Sequence, residues 1–463
     1  MGVYDLEEMK TTQQLLASVS PSFCLAKWLQ VTIHLQNGQT HSCHHPSAHT
    51  IPLNELKNNP SALHNTKFKK NARKLMLKGE RPPECEYCWK IEDASKDNYS
   101  DRHLKSNEVW AKPYFEQVKN LPWDGNINPN YMEVSFSNLC NFKCSYCSPH
   151  ISSKWMEEVK KFGPYLSETS KYNNLDWIEK TGKLPFANGE KNPYVDAFWD
   201  WWPEASKKLH MLRLTGGEPL LSQDTFKIFD YLRKNPLPEM EFAINTNLGV
   251  STNIINRLIE EVKFVTLNRL VKKMVLFTSL DTWGKQAEYI RFGLEINQFW
   301  RNVNRITEEL PNIELGFMCT FNALSVTNFK PFLEAVIEQK KIRARSGGAP
   351  IYLDISYLRH PEHLSVKILS KKFIDQVGAL THAMEELSEI ELGSNRGFFE
   401  FEINKLKRIY EWTQVAENDS WIARNRKDFY LFHKEYDQRK GTNFLTTFPE
   451  MSEFWELCRS EAQ

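Results

Sequence analysis

Cys140, Cys144 and Cys147 fall within eight residues as Cys-x3-Cys-x2-Cys (CNFKCSYC), directly after a strand-like run at 131–137. Three thiolates at that spacing can hold a cubane [4Fe–4S] cluster by three of its irons, leaving the fourth open to a small molecule. Taken alone, the same cysteines also suit part of a zinc site or of a four-cysteine ferredoxin-type cluster. A second stretch bears on that choice. Gly216-Gly217-Glu218-Pro219 follows the strand-like LRLT, where two glycines admit a close ligand and Glu218 can accept from an ammonium group. Read alone, these four residues are equally a strand-ending turn with proline near the first turn of a helix.

The two motifs in this order resemble the signature of the radical S-adenosylmethionine (SAM) superfamily, with Tyr146 at the aromatic position before the last cysteine. The resemblance covers residues 131–358 and implies a partial (β/α)6 TIM-like barrel. It implies that the open iron of the first cluster chelates the methionyl amine and carboxylate of SAM, with Gly216, Gly217 and Glu218 around the amine. Asn247, Ser279 and Arg291, at or just after successive strand ends, resemble the ribose- and carboxylate-contacting positions. Each alone is an ordinary turn or surface residue. By the same resemblance, an electron from the cluster splits SAM into methionine and a 5′-deoxyadenosyl radical, which removes a hydrogen atom from substrate. A flavodoxin- or ferredoxin-type reductant is the implied partner.

The elements that must position these residues alternate along the chain. Strand-like runs at 131–137, 209–215, 240–246, 273–280, 313–321 and 351–358 are separated by helix-like runs at 222–235, 251–270, 285–309 and 326–341. That order predicts an α/β fold with a parallel sheet. The stretch 148–208 is an insertion carrying Trp199, Trp201 and Trp202, which either shape a substrate site or pack a helix onto the barrel. Upstream, Val31, Ile33 and Leu35 alternate towards Asn37-Gly38, predicting a β-hairpin with a type I′ turn. A helix is predicted over 61–78, stopped by Gly79, with Lys67, Lys69, Lys70, Arg73 and Lys74 on a solvated face. The domains so read are an N-terminal α+β cluster domain at 1–125, the barrel at 126–360 and a helical C-terminal extension at 361–463.

Four further cysteines have metal-ligand spacing. Cys24 and Cys43 bracket Gly38 as Cys-x13-Gly-x4-Cys, and Cys85-x2-Cys88 follows. This resembles the twitch domain, the shorter relative of SPASM, which implies a fully ligated auxiliary [4Fe–4S] cluster that can accept an electron from a substrate radical. In most relatives that domain follows the barrel, whereas here it precedes it. The same four cysteines also suit a structural zinc ion, and His41, His44, His45 or His49 could replace Cys24 as a ligand. His44, His45 and His49 are otherwise outer donors or surface residues. Cys319, on the fifth strand, is either a hydrogen-atom donor pointing into the barrel or a small buried hydrophobe. Cys458 has no assigned role.

Composition bounds the rest. The 463 residues carry a net charge of +1, 41% apolar residues and nine cysteines, seven of them at metal-ligand spacings. That favours a reducing, cytoplasmic setting over disulfides. No apolar run approaches the roughly 18 residues of a spanning helix, and the charge balance gives no reason to expect nucleic acid. The main expectation is a radical SAM oxidoreductase or maturase that oxidises, cross-links or epimerises a peptide. The alternative is dehydrogenation or rearrangement of a small molecule such as a sugar or nucleotide. A non-catalytic metal-binding scaffold and a zinc-dependent nucleic-acid binder are the readings of other classes.

Overall fold

The computed structural model describes residues 5–95, 98–169, 171–187, 189–392 and 395–463. Ser170 and Asn188, inside the 148–208 stretch, lie outside the described residues. Strands are β1 Gln30–His34, β2 Gln39–His41, β3 His49–Thr50, β4 Tyr131–Ser135, β5 Lys143–Cys144, β6 Met211–Thr215, β7 Leu237–Thr246, β8 Val271–Ser279, β9 Arg291–Phe292, β10 Glu314–Phe321 and β11 Ile351–Tyr357. Nine of them form a mostly parallel sheet in the order β11-β10-β8-β7-β6-β4-β1-β2-β3. All six strands expected from 131 onward are present, with helices between them. The α/β class of the sequence reading holds, a partial barrel with a helical extension. The chain divides into two compact units, residues 1–138, 182–243 and 265–273, and residues 139–181, 244–264 and 274–463.

In the first unit β1 runs parallel to β4, from Gln30 beside Tyr131 to His34 beside Ser135. β4 in turn runs parallel to β6, and β2 and β3 follow antiparallel. The hairpin is where the sequence puts it, but its turn differs. His34 pairs with Gln39, so Leu35, Gln36, Asn37 and Gly38 form a four-residue loop rather than a two-residue type I′ turn. Leu35 N–H reaches on to Ser135 O at 2.8 Å, which keeps it with β4. Gly38 alone takes positive φ (+67°), and a Cβ there would strike the Tyr194 ring. The predicted helix over 61–78 is a 3₁₀ turn Pro60–Leu63 and a helix Lys67–Leu77, capped by Thr66. Two of its basic residues are buried, not solvated. Lys69 Nζ donates to Thr40 Oγ1 at 2.8 Å and Arg73 Nε to Lys27 O at 3.2 Å, replacing lost water contacts. In the helix Pro193–Ala205, Phe198 and Trp202 are fully buried, and Trp202 meets Tyr231 of the helix Gln223–Lys234 edge-on. Those two aromatic residues serve packing.

In the second unit β10 lies parallel between β8 and β11. The helix predicted over 285–309 is broken into Gly284–Ile290 and Ile296–Glu309. Gly293 takes φ +107° between them, and a Cβ there would lie 2.9 Å from Asn141 O. The break frees β9 to pair with β5. The C-terminal helices Lys371–Ser388, Glu400–Gln414, Asp419–Lys440 and Ser452–Ser460 bury Phe373, Ile409, Phe429, Phe432, Tyr436 and Phe454. Among the described residues no helix is long and apolar enough to cross a membrane.

Candidate functional site

The cysteine loop belongs to the second unit, and its backbone is tied down on several sides. Cys140 N–H donates to Ser153 Oγ at 3.2 Å, and Ser152 Oγ donates to Phe142 O at 2.7 Å. These serines begin the helix Ser153–Phe162, whose Trp155 Nε1 donates to Cys144 O at 2.9 Å. Asn141 Nδ2 reaches Gly249 O, and Asn247 Nδ2 reaches Asn141 Oδ1 at 2.9 Å. Gly249 is required here, since a Cβ would stand 2.2 Å from the Phe142 ring. Asn247 therefore holds the cysteine loop through Asn141.

Cys144 pairs with Arg291 across β5 and β9. The Arg291 guanidinium forks onto Asp281, Nε to Oδ2 at 2.8 Å and Nη2 to Oδ1 at 3.0 Å, while Nη1 reaches Cys144 Sγ at 3.9 Å. Tyr146 OH donates to the same carboxylate at 2.8 Å, and Thr320 N–H does so at 2.9 Å. Cys319 lies against Asp281 O at 3.8 Å and is 2% exposed. Ser279 closes β8 beside Met318. Burial pushes the Cys144 thiol up to about 11, with Arg291 pulling the other way. Cys147 is raised well above its ordinary value, first by burial and then by its neighbours Cys144 and Cys140. Cys147 thus feels the charge of both its neighbours, and Cys144 and Cys147 need an added positive charge to be thiolates at neutral pH. Ser145 Oγ, fully buried inside this loop, has no hydrogen-bond partner.

The first unit holds the remaining candidates. Cys24, Cys43, Cys85 and Cys88 line one cavity together with Lys27, Ser42, His45 and Arg102. They come from the position two residues before the short helix Ala26–Leu29, the loop after β2, and the 3₁₀-to-helix segment Pro83–Cys85 and Glu86–Ala94. Burial raises Cys43 and Cys88 to about 12 and Cys85 to about 11, and the cysteines raise one another further. Lys27 is 4% exposed, with Nζ 3.2 Å from Glu84 Oε1, and it opposes the rise at Cys24, Cys43 and Cys85. Arg102 is held by Glu92 and by Phe23 O. Of the histidines weighed as ligands, His45 lines the cavity, bonded to Asp101 at 2.6 Å. His41 bonds Cys43 O and His49 bonds Thr66 Oγ1. Ser42 Oγ is buried without a partner.

Gly216, Gly217 and Glu218 follow β6 in the same unit. Gly216 takes φ +123°, and a Cβ there would lie 2.6 Å from Ser135 Oγ. Glu218 is 1% exposed, and its Oε1 accepts from Leu220 N–H at 3.0 Å, capping the turn Pro219–Leu221. Asp281, Lys27 and Arg102 are residues of these sites that the sequence motifs do not single out. Nothing in their local sequence marks them, because each also needs a partner far along the chain: Tyr146 for Asp281, Glu84 for Lys27 and Phe23 for Arg102.

No protein-family model matches the chain. It is similar to enzymes named GTP 3′,8-cyclase. That of Campylobacter lari is 26% identical over 217 residues, 46% of this chain and 52% of that protein. That of Sulfurimonas denitrificans is 30% identical over 122 residues, 26% of this chain and 27% of that protein. That of Sulfurovum sp. is 23% identical over 250 residues, 48% of this chain and 67% of that protein. The match to the Campylobacter lari enzyme thus spans about half of that relative's length. The similarity supports an enzymatic role and the resemblance to the radical SAM superfamily.

Proposed function

We propose that this chain is a radical SAM enzyme acting on a small molecule of the nucleotide class. The observation that carries the reading is the cysteine loop, three thiols on one short segment, Cys147 raised by the charges of the other two, with Arg291 at Cys144 and an unpartnered Ser145 hydroxyl. Cys140, Cys144 and Cys147 would hold the SAM-binding [4Fe–4S] cluster, and Gly216, Gly217 and Glu218 the methionyl end of SAM. When bound, the cluster supplies the electron that splits SAM and so the radical that abstracts hydrogen. Asp281 holds Arg291 and Tyr146 in place, and Asn247 with Ser152 and Ser153 keeps the loop from relaxing when it is empty. The comparisons favour the small-molecule alternative over the peptide expectation, since the relatives are named for GTP.

Cys24, Cys43, Cys85 and Cys88 are read as ligands of a second [4Fe–4S] cluster. A mononuclear zinc site gathers its ligands about one point at roughly 2.3 Å. Among the described residues no three His, Cys, Asp or Glu side chains stand so as to hold a single ion. The four cysteines instead line one cavity from several sides, and Ser42 Oγ offers it an unused donor.

The test is iron, sulfide and zinc content after anaerobic reconstitution, with deoxyadenosine release from SAM and dithionite, with and without GTP. About eight irons per chain is expected from two cubanes, with release of deoxyadenosine that rises with GTP. Cys144→Ala should lose about four irons and all SAM cleavage, whereas Cys85→Ala should lose about four irons yet still cleave SAM. Deoxyadenosine formation that survives in Cys144→Ala overturns the assignment. About four irons with one zinc reassigns only the N-terminal cavity.

A further inference from the structure

Three buried polar atoms without partners lie one register step apart on a single face of the first unit's sheet. In β1, β4 and β6 the register sets Thr32 beside Glu133 and Arg213, and His34 beside Ser135 and Thr215, with Gln30 one step below. Residues in register, and those two apart, share a face. The upper two rows of this face are therefore polar, above Tyr131 and Met211 beside Gln30, while its reverse carries Val31, Ile33, Val134 and Leu214, all fully buried. A parallel strand sealed into a core on both sides is apolar on both. Gln30, Thr32 and Ser135 are 1–2% exposed, yet Gln30 Oε1, Thr32 Oγ1 and Ser135 Oγ have no hydrogen-bond partner. Buried polar groups are nearly always paired, so a stack of three marks a place that something else completes. β2 widens the face, putting His41 beside Thr32, with its Nε2 3.1 Å from His34 Nε2. The face ends at Gly216, the residue packed against Ser135 Oγ.

The charges on these register positions are one guanidinium, Arg213, and one carboxylate, Glu133, side by side. A phosphate chain prefers clustered cations, and this pair cancels. Hydroxyls and ring nitrogens, in contrast, meet donors and acceptors at every step. We propose that this face, built in part from the N-terminal strand β1, holds the uncharged part of the substrate, the base and ribose of a nucleoside, and not its phosphates. The inference rests on the nucleotide reading above and extends it to a named surface.

The test uses the full chain, reconstituted and supplied with SAM, and measures equilibrium binding of guanosine and of GTP. Guanosine is expected to bind within about tenfold of GTP, the scale of one hydrogen bond. Thr32→Val keeps the side-chain shape but removes the unpaired hydroxyl, and Ser135→Ala does the same for the neighbouring strand. Each should weaken both probes equally, by about tenfold, the loss of one bond to a buried group. Thr32→Val should also hold or raise the melting temperature without ligand, because the hydroxyl it removes is unpaired there. A lowered melting temperature with unchanged affinities would mean that the atoms serve only buried water, and the inference falls. GTP binding with no guanosine binding overturns the inference and leaves the nucleotide reading standing. Failure of the unaltered protein to bind either probe overturns the nucleotide reading and the assignment of this face together.

Discussion

The carboxylate of Asp281 accepts from Arg291 Nε and Nη2, from Tyr146 OH and from Thr320 N–H, all at 3.0 Å or less and with no exposure to solvent. Four bonds converge on a group that looks, in sequence, like a residue closing a strand. Burial alone would lower the charge on Arg291, but Asp281 and then Tyr146 and Cys144 hold its pKa well above the usual guanidinium value. Asp281→Ala would leave that guanidinium buried and uncompensated, costing about 3–5 kcal/mol. The expected outcome is a lower melting temperature with weaker iron retention at the Cys144 loop, and a smaller effect for Asp281→Asn, which keeps two of the acceptor contacts. An unchanged melting temperature in Asp281→Ala would remove Asp281 from its holding role. The three cysteines and the glycine turn were legible in sequence because each is a short local pattern. Asp281 was not, since one of its partners, Tyr146, lies 135 positions away.

Among elements, the helix Asp419–Lys440 closes over the one that follows the cysteine loop. Lys440 Nζ lies 2.7 and 2.8 Å from the two oxygens of Glu158, on the helix Ser153–Phe162. Lys143, between the first two cysteines, bonds Glu158 Oε2 at 2.5 Å, and Tyr165 OH bonds its Oε1. Burial works against the Glu158 charge, but Lys440 and Lys143 outweigh it and hold its pKa below the ordinary carboxylate value. Burial likewise lowers Lys440 to about 8, so its ammonium depends on Glu158. Glu158→Gln should cost about 3–5 kcal/mol, the scale for removing one partner of a buried pair. Faster amide exchange in the last turns of Asp419–Lys440 is expected, with iron loss from the neighbouring loop. Unchanged exchange there would mean that apolar packing by Phe432 and Tyr436 suffices. The strands were readable from their alternation with helices, a property of each segment by itself. The break at Gly293 was not readable, because the strand pairing that demands it joins Cys144 to a residue 147 positions later.

At the scale of the molecule, four histidines among the described residues are fully buried: His64, His103, His363 and His433. Burial drives each pKa down, to about 4 for His103 and His363 and well below the ordinary value for His64 and His433. These imidazoles stay neutral in the folded protein while the unfolded chain takes up protons near pH 6.5. The unfolded state therefore binds more protons as pH falls, and stability declines with it, by roughly 1.4 kcal/mol per pH unit for each histidine below pH 6. The window is set by the histidines, from about pH 6.5 down to about 4. The depressed carboxylates Glu92 and Glu158 lose their contributions only below that, as pH falls through their own lowered values. The melting temperature should hence hold from pH 7.5 to about 6.5 and fall steeply from there towards pH 5, above the range of the depressed carboxylates. His363 offers the sharpest check, since neither ring nitrogen has a hydrogen-bond partner and the ring packs on Phe432. His363→Leu should keep or raise stability at pH 7.5 and reduce the slope by about 1.4 kcal/mol per pH unit, one histidine's share. A melting temperature that is flat from pH 7.5 to 5.5 would mean that these histidines take up protons alike in the folded and unfolded chain. The buried environments that hold them neutral would then have to be redrawn.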